Sequence, residues 1–201
     1  MFVTALVLAA GTSARMQHQN KLLLEWRAKP LIAHTVDHLL QTYVAEIIVV
    51  VGYGAAQVRA ALQERPLRFV MNHRYAEGLS TSIIAGLAAI SDKAEAVLIC
   101  LGDLPLVAAA EINLLLTRYA QAERATIAVP IFNGQRGNPV LFNRSHCAAM
   151  LNLTGDAGCK TIIRQHEHEV LEVEMASDHV LRDVDTLEAY AQLVFRTNRD
   201  Y

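Results

Sequence analysis

The sequence predicts an α/β fold: a mostly parallel, three-layer sheet with helices on both faces and a small mixed subdomain appended late in the chain. Three observations carry this reading. Short apolar runs alternate with amphipathic stretches along the chain. Several of those runs are apolar at nearly every position instead of every second one, as strands covered on both faces must be. The 201 residues are 53% apolar and 19% charged, enough to build one substantial core without disulfide or metal staples.

Val3 to Ala9 is the first strand, almost continuously apolar. Pro30 opens a helix, since a first helical residue needs no free N–H. Leu31, Ile32, Val36, Leu39 and Leu40 form its apolar face. Ile47 to Val51 is a β-branched run closed by Gly52-Tyr53-Gly54. Val58 to Leu62 belongs to a short helix and Leu67 to Met71 to a strand. Thr81 to Ile90 reads as a helix, Ala96 to Leu101 as a buried strand, and Ala108 to Ala122 as the longest clear helix. Thr126 to Ile131 is a further strand. Then the pattern turns mixed: an Asn133-Gly134 turn, a short strand at Val140 to Phe142, helices near Ser145 to Leu151 and Thr161 to Gln165, and a strand near Val170 to Val173. A helix from about Leu187 to Arg196 ends the pattern.

Composition narrows the function. A net charge of −2 argues against a general nucleic-acid binder. Cys100, Cys147 and Cys159 are an odd number without a CxxC pair, and read as reduced thiols. No segment has the roughly 18 consecutive apolar residues of a membrane span. The first basic residue, Arg15, follows the apolar front end, unlike a secretion signal. The expectation is a cytoplasmic protein that binds neither membrane nor nucleic acid.

Ligands of such sheets bind beyond the carboxyl ends of the strands. After the first strand come Leu8-Ala9-Ala10-Gly11-Thr12-Ser13, then Arg15 and Lys21. Small residues let backbone N–H groups approach an anion, and two cations in one loop favour a phosphate over a plain surface connection. A Walker loop is excluded, because Asn20 and Leu22 flank Lys21. Gly52 and Gly54 read as turn residues. A dinucleotide fingerprint would need a small residue at Gln57 and an acid near Asn72.

Asp103, in Gly102-Asp103-Leu104-Pro105, suits a Mg²⁺ ligand beside phosphate, and equally a helix cap. Asp183 and Asp185 share a face if their segment is extended, and Asp185 or Thr186 serves equally well as the cap of the last helix. Gly78-Leu79-Ser80-Thr81-Ser82 opens a helix whose N–H groups suit a base or phosphate, although capping by Ser80 or Thr81 explains the residues as well. His34 and His38 fall on a solvated helix face, and His166 and His168 read as surface.

These stretches, in this order, resemble the MobA-like nucleotidyltransferases, and within them the molybdenum cofactor cytidylyltransferases. The resemblance is carried by Leu8-Ala9-Ala10-Gly11-x-Ser13-x-Arg15-Met16, Lys21-Leu22-Leu23-Leu24, Gly102-Asp103-Leu104-Pro105, Asn72 with Gly78-x-Ser80-x-Ser82, Arg136-Gly137-Asn138-Pro139, Gly155-Asp156-x-Gly158 and Asp183-Val184-Asp185-Thr186. It runs from about Leu6 to Leu193. It implies a Rossmann-like fold of the nucleotide-diphospho-sugar transferase type, as one domain over 1–201 with a nucleotide half to about 107 and an acceptor half beyond. It implies transfer of CMP from CTP to the phosphate of a molybdopterin-type acceptor, with Mg²⁺ as cofactor and a molybdoenzyme or its chaperone as partner.

By the same resemblance Leu8, Ala9, Ala10, Gly11, Asn72, Gly78 and Ser82 would surround the nucleotide, and Arg15 and Lys21 would hold its triphosphate. Asp103 and Asp185 would hold the metal, and Arg136, Asn138 and Asp156 would face the acceptor. The chain departs from the family pattern at Gln17, where glycine is usual, at Lys160, where arginine is usual, and at Leu187, where proline is usual. Two alternatives stay open. One is a related transferase using GTP, or acting on a sugar or alcohol phosphate. The other is a non-catalytic nucleotide-binding accessory protein for molybdoenzyme maturation.

Overall fold

The computed structural model describes residues 1–13, 16, 19–156 and 158–197. The elements in order are β1 (Val3–Ala9), β2 (Glu25–Trp26), β3 (Lys29–Pro30), α1 (Leu31–Leu39), β4 (Glu46–Val51), α2 (Ala55–Ala61), β5 (Arg68–Met71), α3 (Leu79–Leu87), β6 (Ala96–Leu101), α4 (Ala109–Gln121), β7 (Ile127–Phe132), β8 (Gln135–Arg136), β9 (Val140–Asn143), α5 (Cys147–Met150), α6 (Lys160–Gln165), β10 (Val170–Glu174) and α7 (Leu187–Thr197). The main sheet runs β10-β7-β9-β6-β1-β4-β5, with β8 paired to β7. Its β1, β4, β5 and β6 pairings are parallel, as is β7 with β10, and β9 is inserted antiparallel between β6 and β7. The expected mostly parallel sheet is borne out.

Side-chain alternation divides the core between the two faces of this sheet. Ala5, Val7, Val49, Val51, Leu98 and Cys100 pack on one side with residues of α1, α2 and α4, including Ile32, Val36, Val58, Ile112 and Leu115. Leu6, Leu8, Ile48, Val50, Val97 and Ile99 pack on the other with Ile83 and Leu87 of α3, Met150 of α5, and Ile162 and Ile163 of α6. Each such fully buried aliphatic contributes about 1.5–3 kcal/mol. Within α3, a Cβ at Gly86 would come within 2.9 Å of the Leu6 side chain and 3.0 Å of Val50. The helix accepts a residue of poor helical propensity there because it allows a close approach to the sheet.

Pro30 stands one residue earlier than expected, capping α1 from outside and pairing with Glu25 in the small β2–β3 hairpin. The sequence gives no sign of that hairpin. Its turn uses Arg27 and Ala28 at φ 49° and 60°, without the Asn or Gly that usually marks such a turn. Trp26 of the hairpin, Leu31, Val184 and Leu193 of α7 form a separate apolar cluster. The Tyr190 hydroxyl donates to the Glu25 carbonyl at 2.5 Å, fastening α7 to the same place.

Candidate functional site

The first polar cluster is built by the ends of β1 and β6. Gly102 N–H donates to the Leu8 carbonyl at 3.1 Å, continuing the ladder one step past β6. Asp103 follows and is 4% exposed. Its carbonyl accepts from Val184 N–H at 3.1 Å, which draws the 183–185 segment alongside. Val184 is buried in the Trp26 cluster, and Asp183 and Asp185 line a cavity of about 620 Å³. The expected alternation is what places both there. Carboxylate oxygens of Asp103, Asp183 and Asp185 lie within 4.8 Å of one another.

Lys21 enters from a one-turn helix, Lys21–Leu23, capped by Asn20, whose Oδ1 accepts from Leu22 N–H at 3.1 Å. Leu22 is buried as the anchor, and the Lys21 N–H donates to Ser13 Oγ at 3.2 Å. The Lys21 ammonium donates to both Asp103 and Asp185. Burial alone would lower its pKa, but the two carboxylates outweigh burial and hold it above its ordinary value. Burial pushes the Asp103 carboxyl up, with the Lys21 ammonium acting against that shift. Asp103 caps no helix, since α4 begins only at Ala109. The last helix is capped by Thr186, whose Oγ1 accepts from Ala189 N–H at 3.2 Å.

Leu8, Ala10, Gly11, Lys21, Gly78, Ser82, Asp103, Asp156 and Asp185 all line this cavity. A Cβ at Gly11 would meet none of the described residues within 4 Å, so among them space is left beside its backbone. Two expected nucleotide residues do not line the cavity. The Ala9 side chain is buried in the core. Asn72 is buried behind the wall, its Nδ2 donating to Thr81 Oγ1 at 2.9 Å and Ser82 Oγ at 3.0 Å. It positions Ser82. Arg15 and Gln17 lie outside the described residues.

The start of α3 is capped otherwise than the sequence suggests. Neither Ser80 nor Thr81 caps it. Leu79 N–H donates to Asp156 Oδ1 at 3.1 Å and Ser80 N–H to the Gly155 carbonyl at 3.0 Å, so a distant loop satisfies these amides. Gly78 makes this possible: its φ is +108°, and a Cβ there would stand 2.6 Å from the Gly155 backbone. Gly52 serves a similar close approach, to Ala10 and Tyr75 at 2.8 Å.

A second cavity of about 630 Å³ adjoins the first and shares Leu8, Leu79, Leu101, Asp156 and Asp183 with it. Its walls are apolar, with Ile83, Ile99, Val129 and Phe142, and its rim carries Arg136, Asn138, Lys160 and Arg164. Asn138 is held by its N–H to the Val180 carbonyl at 2.8 Å. Arg136 is less available than expected. Its guanidinium pairs with Glu167 and, at 2.7 Å, with Glu172. Those bonds raise its pKa.

Asp183 is the site residue that the sequence noticed without a role, and period-two alternation was its signal. Arg164 had no signal, because its place depends on how α6 meets β9. His34 and His38 are not solvated. They are half-buried, His34 Nε2 lying 2.6 Å from the Trp26 carbonyl and His38 Nδ1 2.8 Å from that of Val107. His166 is also half-buried and bonded to Glu169. All three cysteines are free. Burial pushes the Cys100 thiol up to about 12. No helix among the described residues is long and apolar enough to cross a membrane.

Comparison with known proteins agrees with this geometry. Residues 5–170 match the model of the MobA-like NTP transferase domain. The chain is 28% identical over 197 residues to nicotine blue oxidoreductase of Paenarthrobacter nicotinovorans, covering 96% of each. It is 30% identical over 144 residues to the bifunctional protein GlmU of a Geobacillus strain, covering 71% of this chain and 31% of that protein. Among solved structures, Rv0371c of Mycobacterium tuberculosis superposes with a TM-score of 0.86 at 28% identity, covering 97% of this chain and 98% of that one. Its manganese complex superposes with a TM-score of 0.81 at 27% identity, covering 97% and 99%. The α/β fold is that of nucleotidyltransferases, and the chain belongs to the MobA-like NTP transferase family.

Proposed function

We propose that this protein is a divalent-metal-dependent cytidylyltransferase that moves CMP from CTP to the terminal phosphate of a molybdopterin-type acceptor, with release of pyrophosphate. The observation that carries the reading is the Lys21 ammonium held between the Asp103 and Asp185 carboxylates, at a cavity that adjoins a second one lined in part by Arg136, Lys160 and Arg164.

An acceptor phosphate is already largely ionised near neutrality. Its oxygen attacks the α-phosphorus, the bond from that phosphorus to the bridging oxygen breaks, and pyrophosphate leaves with that electron pair. No general base is needed. The obstacle is bringing two anions together. Asp103, Asp183 and Asp185 offer clustered hard oxygen donors of the kind Mg²⁺ or Mn²⁺ takes, so the residues fit the cation the family implies. Bound there, it would supply charge neutralisation between nucleotide and acceptor. Lys21 would then turn its ammonium to the triphosphate and stabilise charge on the departing pyrophosphate, as Arg15 would from the same loop. The Ala10 methyl would narrow the base pocket and favour cytosine over guanine. Lys160 and Arg164 would hold the acceptor's anionic end, with Asn138, Arg136 and Asp156 at its edge. On this reading one domain carries a nucleotide side and an acceptor side, each cavity drawing residues from both parts of the chain, and a molybdoenzyme or its chaperone would receive the product in the cytoplasm.

The test is thermal-shift binding of CTP, GTP, ATP, UTP and NADH, each with and without Mg²⁺. Stabilisation by CTP that requires Mg²⁺ is expected, followed by CMP transfer to a purified molybdopterin acceptor. A preference for GTP moves the protein to a guanylyl-transferring reading. Transfer only to a sugar or alcohol phosphate replaces the acceptor. Binding of CTP without transfer to any acceptor makes it an accessory protein. A response to NADH alone overturns the transferase reading in favour of redox chemistry like that named for the Paenarthrobacter relative.

A further inference from the structure

A second cluster of ligating side chains lies at the opposite end of the sheet from the carboxylates. His146 follows β9, Glu169 directly precedes β10, His166 directly follows α6, and Thr126 directly precedes β7. His146 is 4% exposed although it carries a polar ring. Its Nε2 lies 3.9 Å from Glu169 Oε2, and His166 Nδ1 lies 2.8 Å from Glu169 Oε1. One ligand atom from each of the three lies within 4.8 Å of the others. The Thr126 hydroxyl donates to Glu169 and stands 2.7 Å from His146 Nε2. His168 Nε2 is 3.5 Å from the same carboxylate, on the solvent side.

We propose that His146, His166 and Glu169 form a second metal site, selective for a borderline transition ion such as Zn²⁺ and distinct from the oxygen-only site of Asp103, Asp183 and Asp185. Ligands of a tetrahedral ion at Zn–N and Zn–O lengths stand about 3.3 Å apart. The 2.8 and 3.9 Å separations, each to a different Glu169 oxygen, bracket that value, and the 4.8 Å spread of the three ligand atoms lets side-chain rotation bring them onto one ion. Two imidazoles and one carboxylate leave a fourth corner for water, beside the Thr126 hydroxyl, which holds Glu169 as an outer-shell partner. The ion takes the lone pair of His146 Nε2, so this ring carries its proton on Nδ1 when loaded. Imidazole ligands favour Zn²⁺ strongly over Mg²⁺, whereas an all-carboxylate set discriminates less and takes the abundant hard cation. The two ends of one sheet therefore differ in what they retain against an excess of Mg²⁺.

The experiment uses the full chain, stripped with chelator and dialysed against Zn²⁺ or Co²⁺ in a large excess of Mg²⁺, with bound metal counted and the Co²⁺ absorption recorded. One retained equivalent is expected for the wild type and for Asp103→Asn. His166→Ala, at a half-buried position, and the near-isosteric Glu169→Gln are each expected to weaken its binding about tenfold or more, with the Mg²⁺-dependent nucleotide shift unchanged. No retained equivalent in the wild type overturns the proposal. So does an equivalent that survives both variants, or one lost in Asp103→Asn or Cys147→Ser instead.

Discussion

The Lys21 ammonium and the Asp103 carboxylate are 82 positions apart in sequence and bonded in the fold. The pair joins the loop after β1 to the end of β6, and Asp185 closes it from the last segment before α7. Charge joins three distant parts of the chain here, over the apolar anchors Leu22 and Val184 that lie next to it in sequence.

Lys21→Ala leaves Asp103 in its buried place without that cation. The expected cost is about 2–3 kcal/mol, below that of a fully buried pair because Asp185 is 43% exposed at its side chain. Urea denaturation measures it. On the proposed reading the rate of CMP transfer also falls roughly 10²–10³-fold. Unchanged kinetics would remove Lys21 from the phosphate clamp.

Asp103→Asn keeps the shape and removes the charge. Burial already disfavours the carboxylate at this position, so the melting temperature is expected to stay within roughly 4 °C of the wild type. Turnover is expected to be lost, and circular dichroism to be native. Near-normal turnover sinks the metal role assigned to Asp103.

Asp156→Ala removes the oxygen that receives the first amide of α3. The expected loss is about 1 kcal/mol, typical of a missing helix cap. Because the same residue borders both cavities, the KM values for nucleotide and acceptor should rise together. A rise confined to the acceptor would show that the cap does not shape the nucleotide wall.

Asp37 carries a pH dependence away from the site. Burial would raise its pKa, but bonds from Arg65 at 2.7 Å and Lys29 at 3.0 Å overcome that and hold it below its ordinary 3.8. Its folded pKa is depressed, so its contribution is complete above the unfolded value of 3.8 and is lost as pH falls below it. Asp37→Asn should cost about 1 kcal/mol at neutral pH. Melting curves of the two proteins should converge as the solution is acidified. Curves that stay parallel down to the acid limit would contradict the ion-pair origin.

The sheet was legible because its strands are buried on both faces, and runs such as Ala96–Leu101 have no other economical use. The Lys21 and Asp103 loops were legible because chemistry at strand ends needs charged residues beside small ones. The β2–β3 hairpin was not legible, since Arg27 and Ala28 adopt left-handed backbone that neither residue advertises. The cap on α3 was misread for a different reason. Ser80 and Thr81 are good local candidates, and only the three-dimensional return of Gly155-Asp156 takes the amides from them. His166 reads as surface because its neighbour Glu169 is an ordinary local partner in sequence, and only the fold brings the distant Thr126 and His146 to the same carboxylate.

The shared wall of the two cavities has a kinetic consequence. Leu8, Leu79, Leu101, Asp156 and Asp183 line both, so on the proposed reading a donor in one lies beside an acceptor in the other. Molecules seated in both would exchange a group directly, with no side chain required to carry it between them. Double-reciprocal plots for the two substrates should therefore intersect instead of running parallel, the signature of a ternary complex and not of a substituted enzyme.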